Sequence, residues 1–242
     1  MIDATPPFQT AQETQSSGPR ALRDILIVGF PIIALGVVGN AVGLGTIAGG
    51  AIVNLGYVLM IIVGAVILRR QNSSWGRIGL SQPTSWVKTV WLGIGAFAGA
   101  LVAFVAMQTI AANLLIALGT DLQAIDQSRF NAIEGNLPLF VLLLSLAWTT
   151  IAFGEELYYR AFLITRMVDG ARLGQWTAIL VAGVVFGLVH FAEGPLGMLS
   201  NGAFGALFGW IYVRSGRNLW ITILGHGLLN TLRFTLLYLG IA

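Results

Sequence analysis

Gly154-Glu155-Glu156-Leu157-Tyr158-Tyr159-Arg160 continues directly from the apolar run Leu137 to Phe153. That run is long enough to open a membrane-spanning helix, so three charged residues fall where hydrocarbon is expected. Each costs roughly 2.5 to 3.5 kcal/mol near a bilayer centre, even on the gentlest scale. Together they approach about 8 kcal/mol, against a net domain stability of roughly 5 to 15 kcal/mol. Ionisable residues inside a span mark function by default, so a site within the membrane is expected here.

Composition agrees with a membrane chain. Of 242 residues, 56% are hydrophobic and only 10% are charged, where a soluble domain is about a quarter charged. Mean hydropathy is +0.82. The length fits one polytopic, all-α membrane domain. There are no cysteines, which excludes disulfide and thiolate chemistry. No nucleotide-binding loop and no basic nucleic-acid patch appears, so no nucleic-acid partner is expected. Residues 1–23 are polar, without a basic residue before Arg20. They lack the basic start and apolar run of a signal peptide and read as a disordered cytoplasmic tail before an uncleaved first helix.

Apolar windows of about 20 residues give about seven spans. They run from Ile25 to Gly45, Ala51 to Leu68, Val90 to Leu118, Leu137 to Thr165, Trp176 to Phe191, Leu196 to Val213 and Leu219 to Ile241. Alternation puts Arg20, Arg23, Arg69, Arg70, Arg77, Lys88, Arg166, Arg172, Arg214 and Arg217 on one side. Basic loops are cytoplasmic, so the N-terminus is expected inside and the C-terminus outside. The opposite loops carry Asp121, Asp126, Glu134 and Glu193 against the single basic Arg129. Glu193 reads as a solvated loop residue. The pairs Gly95 and Gly99, Gly183 and Gly187, and Gly205 and Gly209 are spaced to let helices pack closely.

Within the spans the polar residues form a small set. Arg160 lies four residues after Glu156, on its face, so the two can neutralise one another. Glu155 points about 100° away and has no local basic partner. An unpaired carboxylate out of bulk water is a candidate general base. The only two histidines, His190 and His226, fall in the fifth and seventh spans. Asn230 is four residues past His226, on the same face, and both can offer hydrogen-bond donors to a developing oxyanion. This is a hydrolytic set that needs no nucleophilic serine or cysteine. Each member also has a structural reading. Intramembrane histidines often only bridge helices, Glu156 and Arg160 read as structural support, and Tyr158 and Tyr159 as packing or interfacial residues. Arg233, on the His226 face, reads as snorkelling or as a carboxylate's partner.

Glu155-Glu156-x-x-x-Arg160, Phe186-x-x-x-His190 and His226-x-x-x-Asn230, in that order, resemble the three-motif signature of the CPBP family. These are the CAAX proteases and bacteriocin-processing enzymes, also called the Abi family, of intramembrane endopeptidases. The resemblance covers about Leu137 to Leu232, and Gly209, Tyr212, Gly216 and Leu219 fit the family's stretch before its last motif. It implies a bundle of about seven helices around a conical cavity. Residues 24–136 would be variable helices and 137–242 the catalytic ones. Glu155 and His190 would activate water, His226 and Asn230 would stabilise the oxyanion, and Glu156, Arg160 and Phe186 would support them. The substrate implied is a membrane-anchored protein or peptide, of CAAX or bacteriocin-processing type. The expected location is the plasma membrane of a prokaryotic cell.

The resemblance leaves the metal open. Zinc held by Glu155, His190 and His226 would keep one open water position. Yet no His-Glu-x-x-His helix is present, and neither histidine has an evident carboxylate to orient it. A metal-free glutamate mechanism needs nothing further and is preferred. Two other functions compete. One is a catalytically silent immunity or scaffold protein, disfavoured because every motif position is intact. The other is a small proton-coupled transporter, disfavoured because the first half carries no matching intramembrane charge.

Overall fold

The computed structural model describes residues 18–43, 46–119 and 128–241, and they form helices with no strand among them. The expected tail up to residue 17, Asp121 and Asp126 lie outside the described residues. The helices are α1 Gly18–Val42, α2 Ile47–Arg70, α3 Trp86–Ala117, α4 Leu137–Gly170, α5 Gln175–Leu188, α6 Gly194–Arg214 and α7 Leu219–Tyr238. Helix α1 begins at Gly18, so Arg20 and Arg23 belong to its first turns and not to a tail.

Short polar side chains set the starts. Thr46 accepts from the Gly49 amide at 3.0 Å, Ser85 from Lys88 at 3.3 Å, and Asn136 from Leu139 at 3.2 Å. Each satisfies an amide that the first helical turn leaves open. Among the described residues five helical segments are long and apolar enough to cross a membrane: Gly18–Val42, Ala48–Arg70, Trp86–Ala117, Leu137–Gly170 and Phe191–Arg214. The 14 residues of α5 are shorter than a span. In α7 the apolar run is diluted by His226, Asn230 and Arg233, and it is not among the five.

Helix α4 is the centre of the bundle, and every residue from Gly154 to Thr165 is buried. It is not a regular α-helix. Its turns widen to i→i+5 bonding over Ala147–Ala152, Glu156–Ile164 and Arg166–Gly170, a distortion common at functional sites. Around it, α1 packs on α2, α5 on α6, and α3 on both α6 and α7. Glycines permit the closest of these approaches. A Cβ at Gly183 would meet Ala206 at 2.9 Å, and one at Gly205 would meet Phe186 at 2.9 Å. The expected packing at Gly95 and Gly99 is not found among the described residues, where nothing lies within 4 Å of a Cβ at either. The seam of α3 is set instead by Gly93, whose added Cβ would lie 2.8 Å from Leu224.

Contacts gather the basic ends of the helices together. Gln71, after α2, donates to Asp24 of α1 at 2.6 Å. Arg217, between α6 and α7, forms a two-pronged bond with Asp169 at the end of α4, at 2.5 and 2.8 Å. Tyr212 donates to the Ile78 carbonyl in the α2–α3 connection at 2.7 Å. At the other end, the Gly135 amide before α4 donates to Tyr238 at the end of α7, at 3.0 Å. A cavity of about 820 Å³ lies between α1 and α2 at the basic end, lined in part by Arg20, Arg23 and Arg70. It contains none of the candidate site residues.

Candidate active site inside the bundle

Both glutamates project into the protein and not toward lipid. Glu156 is fully buried and Glu155 is 6% exposed. Glu156 Oε1 lies 3.1 Å from Arg160 Nη1, the pairing expected within one helix. It also accepts from His226 Nδ1–H at 2.9 Å. Glu156 is therefore the carboxylate that orients a histidine, which the sequence did not reveal because the bond spans two helices. The opposite nitrogen, His226 Nε2, faces Glu155 Oε2 at 3.7 Å.

Glu155 is not unpaired, as its own helix would make it. The Tyr57 hydroxyl of α2 donates to Glu155 Oε1 at 2.5 Å, across 98 positions of sequence. Gly154 makes room for this. A Cβ there would stand 2.8 Å from the Tyr57 ring. One turn earlier on α2, Asn54 Oδ1 takes a hydrogen bond from Thr150 of α4.

Arg160 is 1% exposed, and its guanidinium lies over three rings, 4.6 Å from Phe186, 5.5 Å from Phe204 and 5.7 Å from Phe208. A buried cation gains from such ring faces, and hydrogen bonds from its nitrogens do not appear among the described residues. Phe186 is the common neighbour. Its ring lies 4.7 Å from His190, 6.5 Å from His226 and 4.9 Å from Tyr159, which meets it edge-on. Phe204 meets His226 edge-on at 5.0 Å. Phe204 and Phe208 were missed by motif reading, because an aromatic in an apolar helix carries no signal of its own. Tyr158 and Tyr159 are buried packing residues, and the Tyr158 hydroxyl reaches the Ile25 carbonyl at 3.1 Å.

His190 lies beyond α5, which ends at Leu188, and not within a span. It occupies the turn between α5 and α6, half-buried. Its Nδ1–H donates to the Phe186 carbonyl at 2.7 Å. In the neutral ring that leaves Nε2 as an acceptor. Glu193, in the same turn, is not a solvated loop residue. It is half-buried and accepts from Asn201 at 2.9 Å, clamping the first turns of α6. Asn230 sits one turn beyond His226, half-buried.

The structure thus joins Glu156, Arg160 and His226 directly, sets Glu155 facing His226, and connects His190 to them through Phe186. Among the described residues no three His, Cys, Asp or Glu side chains converge as metal ligands. The trio Glu155, His190 and His226 does not fit a three-ligand zinc centre in this arrangement.

Residues 137–232 match the model of a protein family described as type II CAAX prenyl endopeptidase Rce1-like. No curated protein and no solved structure matches the chain.

Proposed function

We propose, from the match of residues 137–232 to the type II CAAX prenyl endopeptidase model, that the chain is an intramembrane endopeptidase of the CPBP family. It hydrolyses a peptide bond of a membrane-anchored protein or peptide, with a prenylated CAAX-type sequence as the first substrate class and bacteriocin-type peptides as the second. The observation that carries the reading is the facing pair Glu155 and His226. Both are buried in the bundle, and their 3.7 Å separation exceeds a direct hydrogen bond.

In this reading Glu155 is the general base. It takes a proton from water as the water oxygen attacks the scissile carbonyl carbon. His190 holds that water through Nε2, its Nδ1–H being committed to Phe186. The carbonyl becomes an oxyanion, stabilised by the Asn230 amide and by His226, which donates from Nε2 in its doubly protonated form while Nδ1–H stays bonded to Glu156. The proton on Glu155 then passes to the departing amine as the C–N bond breaks. Glu156 fixes the His226 ring from behind and shares Arg160 as counter-charge. Phe186 lies against both Arg160 and His190, 4.6 Å from the guanidinium and 4.7 Å from the imidazole ring. Every step uses these side chains alone, and no metal takes part.

Residues 24–136 form the variable helices and 137–242 the catalytic part. The basic ends lie in the cytoplasm of a prokaryotic cell, with the N-terminus inside and the C-terminus outside. Incubating purified protein with a prenylated peptide ending in a CAAX sequence tests the reading. Wild-type protein cleaves it, while Glu155→Ala and His190→Ala fold normally and do not. Full activity in Glu155→Ala would remove the base from the mechanism.

A further inference from the structure

We propose that α2, outside the family-matched segment, positions the catalytic carboxylate: the Tyr57 hydroxyl fixes Glu155 for water activation, and the Asn54–Thr150 contact sets the turn on which Glu155 stands. The inference rests on the reading of Glu155 as the base. A carboxylate turns freely about its last bond unless one oxygen is held. Tyr57 holds Oε1 at 2.5 Å, which leaves Oε2 directed at His226. Tyr57 does not touch the reacting atoms, so it is a positioning residue.

Helix geometry makes the arrangement specific. Asn54 and Tyr57 are three apart on α2 and share one face. Their partners, Thr150 and Glu155, are five apart on α4. In a regular α-helix, residues five apart point about 140° away from each other. The widened turns over Ala147–Ala152 narrow that angle, and both side chains reach α2. Gly154 lets the Tyr57 ring lie directly against the α4 backbone. Both Tyr57 and Glu155 are buried, at 7% and 6% exposure, so water does not compete for the bond.

The test compares full-length wild type, Tyr57→Phe and Glu155→Gln in lipid nanodiscs. Phenylalanine keeps the ring against Gly154 and removes only the hydroxyl. With a prenylated CAAX-ending peptide as probe, Tyr57→Phe lowers kcat about 100-fold, the scale of a misplaced catalytic group, with KM and the unfolding midpoint unchanged. The infrared carboxylate band that disappears in Glu155→Gln shifts in Tyr57→Phe, a readout that needs no substrate turnover. An unmoved band, an unchanged kcat, or a loss of kcat matched by a lowered unfolding midpoint overturns the positioning role. An active Glu155→Gln overturns the base assignment and this inference with it. An inactive Glu155→Gln beside a fully active Tyr57→Phe overturns the inference alone.

Discussion

Glu156 holds His226 by a 2.9 Å bond to Nδ1 that joins α4 to α7 across 70 positions of sequence. The same Glu156 oxygen faces Arg160 at 3.1 Å, so one carboxylate serves a cation on its own helix and an imidazole on another. The second nitrogen of that imidazole is thereby turned toward Glu155. The adjacent glutamates differ because they stand on different faces of one helix. Glu156 meets Arg160 and His226 Nδ1, and Glu155 meets Tyr57 of α2 and faces His226 Nε2 of α7.

Removing the Glu156 charge should therefore cost stability before it costs chemistry. Glu156→Gln leaves Arg160, 1% exposed, without its counter-charge. Breaking a buried pair from one side costs about 3 to 5 kcal/mol. Denaturant unfolding in detergent should show a loss of that order. The double variant Glu156→Gln/Arg160→Met should recover part of it, because no uncompensated cation remains. A double variant less stable than Glu156→Gln would show that the pair is not coupled in this way.

Glycine substitutions separate seams from lipid-facing surface. At Gly227, beside His226, an added Cβ would overlap the Trp148 ring, whose indole N–H is bonded to Thr231 at 3.0 Å. Gly227→Ala should destabilise the α4–α7 contact by about 1 to 3 kcal/mol, as overpacking does, and lower peptide cleavage. Gly95→Ala meets nothing and should be neutral, or more stable by up to about 1 kcal/mol from helix propensity. Unfolding midpoints of the two variants, measured side by side, check the contrast. Equal effects would sink it.

The membrane character and the local glutamate geometry were legible in the sequence because both are properties of single helices. Span length follows from bilayer thickness, and the face shared by Glu156 and Arg160 follows from helical spacing. What stayed hidden was set between helices. Neither the Glu156–His226 bond nor the Tyr57–Glu155 bond has any trace in local spacing. A faint signal for the second did exist. Asn54 and Tyr57 are polar side chains three apart in the otherwise apolar middle of α2. The end of α5 falls short of its apolar run for a different reason. Val189 and Phe191 continue the apolar run past the point where the chain turns at His190. Helix α1 extends before its apolar run, because its first turns are polar and hydropathy does not register them.

Metal dependence follows from the same geometry. His226 and His190 each bond through Nδ1, to Glu156 and to the Phe186 carbonyl, which leaves only Nε2 of each for a ligand. The three potential ligands do not converge. Purified active protein should contain no stoichiometric zinc, and dialysis against a chelator should leave peptide cleavage unchanged. Stoichiometric zinc whose removal abolishes activity, and whose return restores it, would overturn the metal-free mechanism.

Orientation can be argued from contacts as well as from charge. The Gln71–Asp24 bond places the end of α2 beside the start of α1. The Tyr212–Ile78 bond brings the α2–α3 connection to the α6–α7 linker, and Arg217–Asp169 adds the end of α4. These are the connections that carry most of the arginines, and they share one end of the bundle. Positive loops remain in the cytoplasm as a rule, so this end is expected to face inward. The last helix starts there at Leu219 and runs to the opposite end, where Tyr238 meets Gly135. A reporter that is active only outside the cytoplasm should therefore work when fused after Ala242. One that is active only inside should work at the N-terminus. The reverse pattern would invert the membrane assignment, and would move the mouth of the site to the other face with it.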